Sequence, residues 1–127
     1  MQLIVLPDKL AVCRMLPSED VPLWVWQHKS LLSVTFTADE LSVVCASGNV
    51  PHDVQCERNW RAMKVQGPLD FSLTGILAAL AAPLASAGIA IFALSTYDTD
   101  YILVKEEMLQ QAVTVLRQHG HLFEGVG

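Results

Sequence analysis

The chain has 127 residues, which suits one compact domain or two small units sharing a core and excludes three independent domains. Hydrophobic residues make up 52% and charged residues 17%, a balance too apolar for a disordered segment, so the chain is expected to fold. Thirteen acidic against eight basic residues leave a net charge of −5 with no Lys/Arg cluster, which argues against nucleic acid as a partner.

In chain order, apolar runs at Gln2 to Leu6, Leu10 to Met15, Leu31 to Thr37 and Leu41 to Ala46 predict strands, the last two joined by Ala38-Asp39-Glu40. Ser18-Glu19-Asp20-Val21 and Val50-Pro51-His52-Asp53 predict one or two helical turns each. Leu23-Trp24-Val25-Trp26 reads either as ordinary core aromatics or as an alternating edge or interface segment. Asn59 to Val65 predicts a strand, ended by Gly67-Pro68, with Trp60 and Ala62 facing one way and Arg61, Met63 and Val65 the other. Ser72 then caps a helix with Leu73, Ile76, Leu77, Leu80 and Leu84 along one face, which Gly88 stops in a left-handed conformation. Ile89 to Ser95 and Tyr101 to Val104 predict a hairpin turning through Tyr97-Asp98-Thr99-Asp100. Glu106 and Glu107 open a second helix with Met108, Ala112, Val115 and Leu116 on one face. Gly120 closes that helix, and His121-Leu122-Phe123 predicts a short final strand.

Between Phe71 and Tyr97 no residue is charged, a stretch long enough to span a bilayer, which needs ~20 apolar residues. Pro83 and Gly88 interrupt it, and the acidic flanks Asp70, Asp98 and Asp100 supply no Lys/Arg bias, so no membrane span is expected. Cys13, Cys45 and Cys56 are odd in number and lack CxxC spacing, and no charged leader follows Met1. A cytoplasmic protein with reduced, buried thiols is therefore expected.

Strand, helix, hairpin, helix, strand is the βαββαβ order of the ferredoxin-like α+β folds. The expected division is a degenerate copy of this unit at 1–59 and a complete one at 60–127. The loop from Gly67 to Thr74 enters a helix N-terminus, where free N–H groups favour a carboxylate. Thr96, Asp98, Thr99 and Asp100 cluster in the hairpin turn, with hydroxyl and carboxylate groups suited to an ammonium. Taken singly, such residues more often act as turn formers and caps. His52 and Cys56 are spaced i, i+4 but lack a third ligand, so no metal is expected. No GxGxxG, Walker, GxSxG or HExxH motif is present, and no Cys–His pair is marked as activated, so neither cofactor nor enzyme activity is expected.

The run Gly67-Pro68-Leu69-Asp70-Phe71-Ser72-Leu73-Thr74-Gly75-Ile76, with Pro83-Leu84-Ala85, Ala87-Gly88-Ile89 and Ser95 to Val104 after it, resembles the ACT-domain group. That group includes small bacterial proteins and the ACT modules of the eukaryotic cytosolic arginine sensor, with aspartokinase regulatory domains as more distant relatives. The resemblance covers Trp60 to about Phe123. It implies a regulatory module that binds an amino acid between the strand-to-helix loop and the hairpin, at an interface between ACT units. By the same resemblance Asp70, Phe71, Ser72 and Ile76 contribute from the loop, and Thr96, Tyr97 and Asp100 from the hairpin. The chain departs from the arginine sensor at Leu73, where that sensor carries a glutamate, so arginine itself is not implied. The group's habit of ACT–ACT pairing, and the alanines Ala78, Ala79, Ala82 and Ala85, imply a homodimer. The alternative reading is an ACT-like scaffold that binds no ligand and mediates protein contacts.

Overall fold

The computed structural model describes residues 1–66 and 74–124. The chain divides into two units, Asp8–Trp60 and Met1–Pro7 with Arg61–Gly127. In this division the opening strand groups with the second half of the sequence, where its hydrogen-bonding partners lie, and Trp60 groups with the first.

The Asp8–Trp60 unit contains β2 (Leu10–Met15), β3 (Ser33–Phe36), β4 (Leu41–Ala46) and the start of β5 (Cys56–Val65). All its pairs are antiparallel: β2 with β4, β2 with β5, and β3 with β4. The order β3-β4-β2-β5 is that of a ferredoxin-like unit whose helices have shrunk. Two 3-10 turns stand where helices would, at Leu23–Trp26 and Ser47–Asn49 rather than at Ser18–Val21 and Val50–Asp53. Pro22, at φ −64°, presets entry into the first turn, and burial of Val25 fixes it; Trp24 is half-buried and Trp26 exposed, so the segment is not an alternating strand. Arg58 holds the second turn by donating to the carbonyls of Ser47 and Val50 at 3.1 Å and Pro51 at 3.0 Å. Ala11, Cys13, Val25, Leu41, Val43, Cys45 and Val50 form the core of this unit.

In the other unit β1 (Gln2–Val5) lies antiparallel to β5 and parallel to β8 (Leu122–Glu124). β6 (Phe92–Ser95) pairs with β7 (Asp100–Lys105), and β7 with β5, so the order is β6-β7-β5-β1-β8. This is a βαββαβ sheet with β1 inserted between its first and last strands. Helix α1 (Ile76–Ser86) buries Leu80 and Leu84, each stabilising the fold by about 2 kcal/mol, and half-buries Ile76. Leu77, expected on that face, is instead exposed, and Leu73 lies outside the described residues. Helix α2 (Leu109–Gln118) follows a 3-10 turn at Glu106–Met108 and buries Ala112, Val113 and Leu116. The uncharged stretch divides between α1 and β6. Among the described residues no helix is long and apolar enough to cross a membrane.

Both helices end in the same way. Gly88 and Gly120 adopt φ +75° and +87°. The N–H groups of Gly88 and Ile89 bond the Ala85 and Leu84 carbonyls, and those of Gly120 and His121 bond the Arg117 and Leu116 carbonyls. These are Schellman closures, which require a left-handed residue. Nothing lies within 4 Å of a Cβ added at Gly88, so substitution there costs backbone strain alone. Gly88→Val should destabilise the protein by about 1–2 kcal/mol in a thermal melt; an unchanged midpoint would show that the helix ends otherwise.

Pro83 lies inside α1 and has no N–H to offer the carbonyl of Ala79, four residues before it. His121 Nε2 fills that vacancy, donating to Ala79 O at 3.2 Å. The carbonyl can only accept, so the proton is on Nε2. Nδ1 is left buried without a partner among the described residues. Burial pulls the His121 imidazole below its ordinary value of 6.5, and the positive N-terminus and His119 act in the same direction, while the Ala79 bond opposes them. The unfolded chain therefore binds the proton first as pH falls. His121 adds no penalty above about pH 6.5, and stability is lost progressively as pH falls below it. Urea titrations at descending pH should show this loss in the wild type and a flatter profile in His121→Gln; identical profiles would remove His121 as the cause.

Candidate functional site

The hairpin between β6 and β7 turns through Thr96–Thr99, with Ser95 opposite Asp100 as the closing pair. Its tip is tied by its own side chains. Thr96 N–H and Oγ1 both donate to Thr99 O, at 2.9 and 3.1 Å, and Thr99 N–H donates back to Thr96 Oγ1 at 3.4 Å. Ser95 Oγ donates to Asp100 Oδ1 at 2.6 Å, which orients that carboxylate and leaves its second oxygen able to accept. Tyr97 stands 80% exposed at the tip, Thr96 and Asp98 are exposed, and Asp100 is half-buried.

Thr99 is the residue whose role the sequence did not show. It is 2% exposed, and its hydroxyl donates to the Val65 carbonyl at 2.7 Å. Val65 ends β5, so this bond fastens the hairpin tip to the point where the chain leaves the sheet towards α1. Next along, Gln66 donates from its backbone to Gln2 O at 2.8 Å and from Nε2 to Glu124 Oε2 at 2.8 Å. Of the seven residues expected at the site, Thr96, Tyr97 and Asp100 share the hairpin and Ile76 is the first residue of α1. Asp70, Phe71 and Ser72 lie outside the described residues.

The N-terminus of α1 has no side-chain cap among the described residues, and its first intrahelical bond runs from Ala79 N–H to Gly75 O at 2.9 Å. The N–H groups of Ile76, Leu77 and Ala78 precede that bond and suit an anion, whereas the hairpin carries carboxylates and hydroxyls that suit a cation. A cavity of about 670 Å³ lies elsewhere, in the Asp8–Trp60 unit, lined by Arg14, Glu19, Trp24 and Asp53 among others. Cys56 opens β5, so His52 and Cys56 do not share a helical turn. Among the described residues no group of three or more His, Cys, Asp or Glu is arranged to hold a metal.

A family model described as the ACT domain matches residues 55–118, and a second, described as an N-terminal domain, matches residues 8–53. A solved protein of Agrobacterium tumefaciens is 36% identical, with 96% of this chain and 90% of that one covered and a TM-score of 0.90. The chain belongs to the ACT-domain family. Among curated relatives, the cytosolic arginine sensor for mTORC1 subunit 1 of Homo sapiens is 41% identical over 64 residues, 48% of this chain. The match spans 20% of that protein's length. The regulatory subunit of aspartate kinase from Thermus flavus, at 10% identity, aligns over 93% of this ACT protein and 96% of its own chain with a TM-score of 0.65. The fold is thus shared with aspartate kinase regulatory subunits.

Replacing Thr99 by Val keeps the shape and removes the hydroxyl that satisfies Val65 O. Thr99→Val should cost about 1–3 kcal/mol in urea denaturation; wild-type stability would show that the hairpin tip does not depend on this bond.

Proposed function

We propose that this chain is a cytoplasmic, non-catalytic sensor module that binds a free amino acid at the hairpin and the strand-to-helix loop. The ligand's carboxylate is taken by backbone N–H groups at the start of α1, with Asp70, Phe71, Ser72 and Ile76 around it. Its ammonium, or a cationic side chain, is taken by Asp100 with Thr96 and Tyr97. The observation that carries this reading is the buried Thr99–Val65 hydrogen bond, because it anchors the acceptor-bearing hairpin to the strand from which the loop departs. The relatives support the class: one is named as an arginine sensor and others as regulatory subunits. A second copy of the chain completes the site in a homodimer, for which the exposed Ala78, Ala79, Ala82 and Ala85 of α1 allow close approach. The ligand-free scaffold reading has its own support in Tyr97 and Leu122, large apolar surfaces left exposed.

A thermal-shift screen against the twenty amino acids, followed by calorimetry, separates the two readings. The sensor predicts a selective, saturable shift and at least about tenfold weaker binding in Asp100→Ala, whose lost charge-assisted hydrogen bond is worth about 1.5–3 kcal/mol. No shift at millimolar ligand would leave the scaffold.

A further inference from the structure

The Asp8–Trp60 unit holds all three cysteines, and strand register brings them together. Cys13 on β2 is the cross-strand partner of Cys56 on β5. The neighbouring pair is joined by Arg14 N–H to Gln55 O at 3.0 Å, so Arg14 and Gln55 occupy a hydrogen-bonded position and Cys13 and Cys56 a non-hydrogen-bonded one. In antiparallel sheets that position brings Cα atoms to ~4.5 Å with side chains on one face, within the range a disulfide spans. Cys45 on β4 faces Ala11, two residues along β2 from Cys13, and so shares the same face. Cys13 and Cys45 are fully buried, whereas Cys56 is half-buried and open to solvent. All three thiols are free.

We propose that Cys13 and Cys56 are an oxidisable dithiol, a modification site at which a hydroperoxide converts the facing pair into an intramolecular disulfide. Cys56 is the entry point because it alone meets solvent. Its thiolate attacks the peroxide, the O–O bond breaks, an alcohol or water leaves, and Cys56 carries a sulfenic acid. The Cys13 sulfur then attacks the Cys56 sulfur, the S–O bond breaks, and the hydroxyl leaves as water with the Cys13 proton. Two thiols have lost two protons and two electrons, and the peroxide has gained them. Cys45 stands on β4, with β2 between it and Cys56, and is not the cross-strand partner of Cys56. Burial and the proximity of Cys13 push the Cys56 thiol up, and the hydrogen bond with Cys45 followed by burial pushes Cys13 up, so the reaction quickens towards alkaline pH.

The test is to treat the reduced whole chain with hydrogen peroxide at mildly alkaline pH, alkylate the remaining thiols, and map it without reduction. The expected result is an intact mass lower by two hydrogens, a Cys13–Cys56 linked peptide and alkylated Cys45. Cys56→Ser should abolish the link, and Cys45→Ser should retain it. Recovery of alkylated Cys13, with Cys56 as a sulfinic acid or linked to Cys45 or to another chain, would overturn the proposal. The wild-type map decides the matter even where a variant fails to fold.

Discussion

Strand β1 fills the slot between β5 and β8, and the sheet of the ACT unit depends on it. Without β1 both neighbours would expose a row of unpaired N–H and C=O groups, and Leu3, fully buried in the core, would leave a void against Met63 and Val65. The insertion also explains why the unit is not one continuous stretch of sequence. Residues 8–60 are a second ferredoxin-like unit spliced into the connection between β1 and the rest, and β5 contributes its first half to one unit and its second half to the other.

On that framework the hairpin tip is a built feature and not a loose turn. Local bonds among Ser95, Thr96, Thr99 and Asp100 give it shape, and the long-range bond from Thr99 to Val65 gives it position. The division of labour is chemically sensible: the buried hydroxyl is spent on structure, while Thr96, Tyr97 and Asp98 remain exposed. The ACT module therefore offers polar groups on a support that is rigid at its base.

Features whose causes are local were legible in the sequence. Gly88 and Gly120 mark helix ends because a Schellman closure needs a left-handed residue, and the Thr96–Thr99 turn is written in side chains that bond their own backbone. Features whose causes are distant were not. Nothing near Gln2 to Leu6 shows that its partners lie at β5 and β8. The 3-10 turn at Leu23–Trp26 replaces the one expected at Ser18–Val21 because burial of Val25 decides between two weak local signals. Thr99 reads as one more turn residue until Val65 is seen beside it. The pairing of Cys13 with Cys56 is likewise a matter of register, which a bulge between the Leu10–Trp60 and Val12–Glu57 pairs shifts beyond simple counting.

The proline in α1 carries a consequence for the order of assembly. An isolated α1 segment would have Ala79 O open to water and little incentive to continue past Pro83, since the ring removes a rung of the ladder. The missing donor comes from His121, beyond α2, at the entrance to β8. The helix that leads out of the candidate binding loop thus reaches its full hydrogen-bond complement only when the far end of the ACT unit has docked. Local helix formation and closure of the sheet become one cooperative event.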